Sequence, residues 1–272
     1  MNKEEIFKEV QKKHDLAKSI AKKYHYEFVL MTCLVGSQNY KLESDFSDID
    51  TYSYILPSYM DFISGAPMIS TTIELKDGSH LNIKDIRLAF NLLRKPSPNI
   101  VECFLSDYKV YDSEFYNTFK EYDNDITLYY LTHANFKNMI DAIIGTVYQL
   151  HGRNMTIGKK YAHALRLQHM LFRYLEYQES VSKYLHMKEA DLKVARKAKI
   201  EYPNNEEYYE KYELIRQYLN KFGKEYQISA EEKVIEKVAK LIINQFEYKI
   251  FEVYFNLNGL KRIYEPKIDF KN

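Results

Sequence analysis

The chain has 272 residues, of which 46% are hydrophobic and 28% charged, and its formal net charge is +1. This composition is typical of a folded globular protein and excludes a disordered chain; the near-neutral charge excludes a globally basic nucleic-acid-binding protein but not a local basic patch. No segment reaches the roughly 18 continuous apolar residues of a membrane span, and the N-terminal MNKEEIFKEV is not a signal peptide, so a cytoplasmic protein without a membrane partner is expected.

The first part of the chain carries the patterns of a mixed α/β region. Apolar residues at helical spacing predict a helix over residues 3–24. The continuous apolar run YEFVLMTCLV, residues 26–35, predicts a buried strand that ends at Gly36. A polar loop, GSQNYKLESDFS, separates this strand from a second one, DIDTYSYIL, over residues 48–56.

Residues 71–87 show the alternation of a β-hairpin around an Asp-Gly turn signal. A two-residue loop would pair Ile73 with Asn82 and mix apolar with polar side chains on one face, so a three-residue loop over residues 77–79 is predicted. The cross-strand pairs of this register are Leu75 with Leu81, Ile73 with Ile83, and Glu74 with Asn82.

The rest of the chain is helical in pattern. Asp85 is predicted to cap a helix over residues 86–95, and Pro203-Asn204-Asn205 is the clearest loop farther on. The long amphipathic stretches are residues 130–151, 159–180, 206–221 and 230–257. The predicted fold class is therefore α+β, with a mixed-sheet core over residues 1–122 and an all-helical domain over residues 123–272 that closes the cleft of the core.

One stretch, LVGSQNYKLESDFSDID, carries the candidate chemistry. Alternate side chains of a strand share a face, so Asp48 and Asp50 are expected to project together while Ile49 points into the core. Two adjacent carboxylates repel each other unless a cation lies between them, and they form a hard oxygen site suited to Mg²⁺ or Mn²⁺. Gly36 permits close approach of the backbone, and Ser37, at the expected start of a helix, can offer its hydroxyl and N–H groups to a phosphate. A phosphate cradle facing a two-carboxylate metal site is the minimum for nucleotidyl transfer.

This segment resembles the signature of the DNA polymerase β superfamily of nucleotidyltransferases, in which a hydrophobic-Gly-Ser element precedes an Asp-hydrophobic-Asp element. More narrowly, GSQNYKLESDFSDID is similar to the GSxxYGL…SDxD form of bacterial and phage nucleotidyltransferases that are associated with RNA repair. Three later segments, NIKDIRLAFNLLRK, SPNIVECF and KKYAHALR, resemble the same group, and the likeness spans residues 28–170.

The resemblance implies metal-dependent transfer of a nucleoside monophosphate from an NTP to an acceptor hydroxyl, with release of pyrophosphate. Residues 1–122 would then be the nucleotidyltransferase core. An RNA 3′ end is the favoured acceptor, with a protein hydroxyl or a small molecule as alternatives. Asp48 and Asp50 would hold Mg²⁺ or Mn²⁺. The nucleotide-binding positions that follow from the residues and the resemblance are Gly36, Ser37, Tyr40, Lys160, His163 and Arg166.

The resemblance also implies a third catalytic carboxylate on a later strand, and Asn82 stands at its expected position. Asparagine offers a neutral oxygen but cannot act as a base. Glu74, opposite Asn82 in the predicted register, is a candidate substitute, and a plain surface glutamate is the alternative. Lys41 likewise replaces the glycine that the resemblance predicts after Tyr40.

These two departures leave a different class of function open, a catalytically silent nucleotide- or RNA-binding module with the same fold. A third alternative is a protein-interaction partner, such as an antitoxin, that uses the helical half. The lysine-rich stretch KEADLKVARKAKIEYP also allows two interpretations, a local RNA-binding patch or a solvated helix face.

Overall fold

The fold combines a five-stranded mixed sheet with helices, and the elements described after the last strand are all helices, which confirms the predicted α+β class. The computed structural model describes residues 2–23, 26–44, 47–176 and 184–259. The strands are β1 (Tyr26–Val35), β2 (Asp50–Pro57), β3 (Ser70–Glu74), β4 (His80–Asp85) and β5 (Lys109–Tyr111). The helices are α1 (Lys3–Lys23), α2 (Tyr59–Ile63), α3 (Ile86–Arg94), α4 (Pro98–Leu105), α5 (Tyr116–Tyr122), α6 (Asp125–Thr132), α7 (Phe136–Gly152), α8 (Ile157–Leu175), α9 (Glu189–Ile200), α10 (Glu206–Glu225) and α11 (Ala230–Leu257).

The strands lie in the order β3-β4-β2-β1-β5. β1 is antiparallel to β2 and β5, and β3 is antiparallel to β4, whereas β2 and β4 are parallel. The parallel pair can form because α2 and β3 lie between the two strands in the chain and return it to the starting edge. Val35 pairs with Asp50, and Thr51 pairs with Leu81. The start of β2 therefore lies between the end of β1 and the start of β4.

Both faces of the sheet are covered by helices. On one face, Ala17 and Ala21 of α1 pack against apolar side chains from β1, β2 and β4. On the other face, Phe246 of α11 packs edge-to-face against Phe90 of α3 and Phe119 of α5. One apolar cluster thus runs from the sheet into the later helices. None of the described helices combines the length and hydrophobicity needed to cross a membrane.

Most local predictions are confirmed. β1 and α11 have the predicted bounds, and α1 ends one residue before its predicted end. Asp85 caps α3 as predicted, because its carboxylate accepts the backbone N–H of Arg87 at 2.9 Å. These features depend on neighbours in the chain, which is why periodicity and capping residues predict them.

The helical stretches differ in two places. The predicted helix over residues 130–151 is divided between α6 and α7, because Asn135 caps a new helix by accepting the N–H of Asn138 at 3.0 Å. In the predicted helix over residues 159–180, α8 ends at Leu175, and residues 177–180 lie outside the described residues.

The predicted hairpin exists, but its register is wrong. The loop spans residues 76–78, and the N–H of Leu75 donates to the carbonyl of Ser79 at 2.8 Å. A three-residue hairpin loop needs a left-handed residue at its third position, and Gly78 supplies it with a φ of 83°. The predicted loop would place Ser79 at that position. The observed pairs are Ile73 with Leu81, Thr72 with Asn82, and Glu74 with His80.

Candidate active site

Asp50 lies between the glycine that follows β1 and the start of β4. Its Oδ1 atom accepts the backbone N–H of His80 at 2.8 Å and lies 3.1 Å from the Nδ1 atom of the same residue. Its Oδ2 atom lies 3.6 Å from the position that a Cβ atom on residue 36 would occupy. Gly36 has a φ of 84°, in the left-handed region that favours glycine. A side chain at this position would strain the backbone, and its Cβ atom would be in van der Waals contact with the carboxylate.

Asp48 precedes β2 rather than lying within it, because the strand begins at Asp50. Its side chain is exposed to solvent. Ile49, between the two aspartates, is 7% exposed and belongs to the apolar cluster that contains Leu34 and Val110. Ile49 therefore points into the core as predicted. Because neighbouring side chains of an extended segment point to opposite sides, Asp48 and Asp50 point away from the core.

Asn82 and Glu74 take different positions from those expected. The Asn82 amide donates to the carbonyl of Thr51 at 3.1 Å, and its oxygen accepts from the hydroxyl of Thr72 at 2.7 Å. Both ends of the amide are thus engaged within the sheet. Glu74 is exposed and lies opposite His80 rather than opposite Asn82.

The candidate donors for a metal ion are the two aspartates. Within the part of the chain that the structure describes, no three His, Cys, Asp or Glu side chains lie close enough together to hold a metal. Asp48 and Asp50 offer hard carboxylate oxygens, which fit Mg²⁺ or Mn²⁺ when water and substrate phosphates supply the other ligands. The lack of a side chain on Gly36 leaves space beside Asp50 for such a substrate.

The segment that follows β1, residues 36–44, is called the 36–44 loop. It is a series of tight turns rather than the expected helix start. The N–H groups of Tyr40 and Leu42 both donate to the carbonyl of Ser37, at 3.3 and 2.9 Å. The prediction of a helix at Ser37 is wrong because Lys41 adopts a left-handed φ of 61°, from which a right-handed helix cannot continue.

Glu102 of α4 supports the 36–44 loop from inside the protein. It is 4% exposed, and its carboxylate accepts the N–H of Gly36 at 2.5 Å and the hydroxyl of Tyr40. Burial raises the pKa of Glu102 to about 7, although the Arg166 cation and the Gly36 N–H oppose the increase. No motif in the sequence singles out this residue. Its signal was a lone acidic residue within the apolar run NIVECFL.

Arg166 of α8 lies behind the same loop. It is 5% exposed, and its guanidinium carbon lies 3.7 Å from the centre of the Tyr40 ring, within cation–π distance. Its Nε and Nη1 atoms have no hydrogen-bond partner among the described residues. Burial lowers the pKa of Arg166 to about 10, and the nearby Glu102 carboxylate opposes the decrease. Arg166 is therefore a buried positive charge that contacts the loop through Tyr40.

The other two predicted residues of α8 have different surroundings. Lys160 donates to the carbonyl of His151, near the end of α7, at 2.9 Å. His163 is half-buried, and burial together with cations, chiefly Arg166 and Lys159, lowers its pKa to about 3. Its imidazole is therefore neutral near pH 7. Of the three predicted residues, Arg166 is the one with a contact to the 36–44 loop among those described.

The lysine-rich stretch forms α9, which holds the 36–44 loop from the helical half. Arg196 donates to the carboxylate of Glu43 at 2.6 Å, and the ammonium of Lys199 donates to the carbonyl of Leu42 at 2.6 Å. Neither interpretation from the sequence anticipated these contacts. They join segments that are more than 150 residues apart, with separations of 153 and 157 residues, so local patterns carry no information about them.

A family model for the RNA repair pathway DNA polymerase beta family matches residues 7–220. The chain belongs to this family. The matched region includes both aspartates, the 36–44 loop, Glu102 and the helices α8 and α9. The protein is thus a polymerase-β-like nucleotidyltransferase associated with RNA repair. A search among curated proteins finds no match.

The left-handed backbone at Lys41 is a conformation that favours the glycine predicted by the resemblance at this position. We expect Lys41→Gly to raise the free energy of unfolding by about 0.5–1 kcal/mol, because relief of the left-handed strain exceeds the entropy that glycine adds to the unfolded chain. Urea unfolding at equilibrium measures the change. Lys76→Gly is the control, since Lys76 lies in the hairpin loop without a positive φ. Equal effects of the two substitutions would contradict the explanation.

Proposed function

We propose that the protein transfers a nucleoside monophosphate from an NTP to an acceptor hydroxyl in a metal-dependent reaction, with an RNA 3′ end as the acceptor. The observation that carries the proposal is the position of the Asp50 carboxylate. It lies against the left-handed Gly36 on one side and is hydrogen-bonded to the start of β4 on the other. A carboxylate beside a glycine turn is suited to a nucleotide whose phosphates carry a divalent cation.

Asp48 and Asp50 would hold Mg²⁺ or Mn²⁺ through their carboxylate oxygens. When bound, the metal supplies positive charge that offsets the charge developing on the phosphates. The acceptor oxygen forms a bond to the α-phosphorus, the bond from that phosphorus to the β-phosphate oxygen breaks, and pyrophosphate leaves with the electron pair. The Asn82 amide is engaged within the sheet and cannot take the proton of the acceptor hydroxyl, so Glu74 stays the candidate to accept that proton.

The 36–44 loop would bind the β- and γ-phosphates. The N–H of Gly36 is already donated to Glu102, so Ser37 supplies the hydroxyl and N–H donors to the phosphates. Arg166 adds positive potential from behind the loop and holds Tyr40 in place. Lys160 and His163 would line the same side of the nucleotide, His163 as a neutral donor.

The choice of RNA as acceptor is supported by basic residues beside the 36–44 loop. Arg196 of α9 contacts the loop at Glu43, and the charges of Lys159, Lys199 and Arg153 contribute to lowering the pKa of His163. Lys199 also contacts the 36–44 loop at Leu42. A group of cations beside the nucleotide loop suits a chain of backbone phosphates, and such contacts do not depend on base sequence.

The test is transfer of label from α-³²P-labelled ATP, CTP, GTP or UTP, with Mg²⁺ or Mn²⁺, to total RNA and to protein. Wild type is compared with Asp48→Asn and Asp50→Asn. We expect label on RNA 3′ ends and a loss on the order of 1000-fold in either variant, because the site loses negative charge that would hold the metal against the phosphates. Asp107→Asn, at an exposed aspartate, is the matched control and should retain activity. Label on protein instead of RNA would show that the acceptor is a protein hydroxyl.

A second candidate is the catalytically silent binding module, which the surroundings of Asn82 favour. Its amide is engaged at both ends, and the described residues place no third acidic side chain in a cluster with the two aspartates. Calorimetric NTP binding that Asp48→Asn and Asp50→Asn abolish, with no transfer to any acceptor, would establish this module instead. Loss of transfer in Glu74→Gln would instead support a catalytic role for that glutamate.

A further inference from the structure

Lys13 of α1 is a buried lysine directly beneath the two aspartates. It is 5% exposed. Its ammonium donates to the backbone carbonyl of Ile49, the residue between Asp48 and Asp50, and to the hydroxyl of Ser79 at 2.6 Å. One side chain therefore reaches both the aspartate segment and the residue that precedes β4.

Through Ser79, Lys13 also contacts the segment whose next residue, His80, is hydrogen-bonded to Asp50. The hydroxyl of Ser79 donates to the Asp77 carboxylate at 2.6 Å, and its backbone N–H donates to the same oxygen at 3.0 Å. The next residue, His80, donates its N–H to Asp50 at 2.8 Å. Lys13 thus links the residue before Asp50 to the residue before His80, whose N–H donates to the Asp50 carboxylate.

A buried ammonium carries a desolvation cost of several kcal/mol. Burial lowers the pKa of Lys13, and the charges of Asp77, Asp50, Glu9 and Asp48 oppose the decrease. Packing of α1 against the sheet does not require this charge, because apolar residues such as Ala17 and Ala21 provide that contact. The charge is therefore explained by what it contacts in the aspartate segment.

We propose that Lys13 is a positioning residue that holds the Asp48–Asp50 segment and the start of β4 in the arrangement that binds the divalent cation. The inference rests on the proposed function, because it assigns a role toward the metal of that site. Lys13 acts through backbone and hydroxyl contacts rather than by touching the substrate. Its fixed charge also reduces the repulsion between the two carboxylates before a cation is present.

The test is the affinity for Mn²⁺ alone, measured by electron paramagnetic resonance of the free ion, in wild type, Lys13→Met and Lys12→Met. Methionine keeps most of the length of the side chain but removes its charge and donors. Lys12 is on the same helix with 70% of its side chain exposed, so Lys12→Met is the matched control. We expect Lys13→Met to weaken Mn²⁺ binding tenfold or more and Lys12→Met to leave it unchanged.

The direction of the change separates positioning from charge alone. Removal of a nearby positive charge would by itself tighten cation binding, so tighter binding in Lys13→Met would overturn the positioning role.

Ser79→Ala is a second variant, which keeps the charge of Lys13 and removes one of its two hydrogen bonds. It provides the result if Lys13→Met does not fold. We expect it also to weaken Mn²⁺ binding, by about threefold or more. Unchanged affinity in Ser79→Ala and in any folded Lys13→Met would overturn the inference alone. Wild type that bound no Mn²⁺ would overturn it together with the proposed metal site.

Discussion

Gly158→Ala is expected to lower the free energy of unfolding by about 3–5 kcal/mol, because α8 and α9 could not keep their present separation. A Cβ atom on residue 158 would lie 1.9 Å from the carbonyl oxygen of Ala198 and 2.6 Å from its carbonyl carbon. These are backbone atoms of α9, so no side-chain rotation relieves the overlap. The N–H of Gly158 also donates to the carbonyl of Pro203 at 2.7 Å, which fixes the approach.

Urea unfolding at equilibrium measures this change, and Gly145→Ala is the matched control. Gly145 lies within α7, and a Cβ atom there would meet nothing within 4 Å. Alanine at that position should raise stability by up to about 1 kcal/mol, since it favours the helix. A Gly158→Ala variant as stable as wild type would show that α9 can shift at little cost.

The same substitution should lower nucleotidyl transfer in protein that remains folded. α9 carries Arg196 and Lys199, which hold Glu43 and Leu42 of the 36–44 loop. Displacement of α9 would therefore loosen the loop proposed to bind the phosphates, and we expect a higher KM for the NTP. Close packing of α8 against α9 is in this way expected to support the proposed nucleotide site.

Wild-type stability relative to Glu102→Gln is expected to decrease by about 2–3 kcal/mol between pH 5 and pH 8, because burial raises the pKa of Glu102 from 4.5 to about 7. Between these two pKa values the folded protein keeps a proton that the unfolded chain has released. The folded state then binds more protons, so its stability falls as the pH rises. The full effect is reached above pH 7.

Glutamine at position 102 does not ionise, so the variant lacks this contribution to the pH dependence. It can still accept the N–H of Gly36 through its amide oxygen. The free energy of unfolding is measured in urea at a series of pH values for both proteins. Glu114→Gln changes an exposed glutamate, and its free energy of unfolding should vary with pH in parallel to that of wild type. Parallel curves for Glu102→Gln and wild type would contradict an elevated pKa for Glu102.

The sequence predicted the two aspartates, the glycine and serine before them, and most helices and strands. Each of these rests on neighbours in the chain. Burial of Ile49 follows from the alternation of its own segment, and the cap at Asp85 follows from the helix that begins beside it. The hairpin register failed at one detail of turn geometry, because the left-handed conformation had to fall on Gly78.

Only the tertiary structure decided how these segments are supported. Glu102 and Gly36 are 66 residues apart, and Lys13 and Ile49 are 36 residues apart, yet each pair is in direct hydrogen-bond contact. Such contacts depend on how the sheet and helices pack. No periodic pattern in the sequence predicts the partner of a buried charge. The sequence by itself therefore determined most local segments and the candidate side chains within them. Packing between distant segments decided which residues hold them in place.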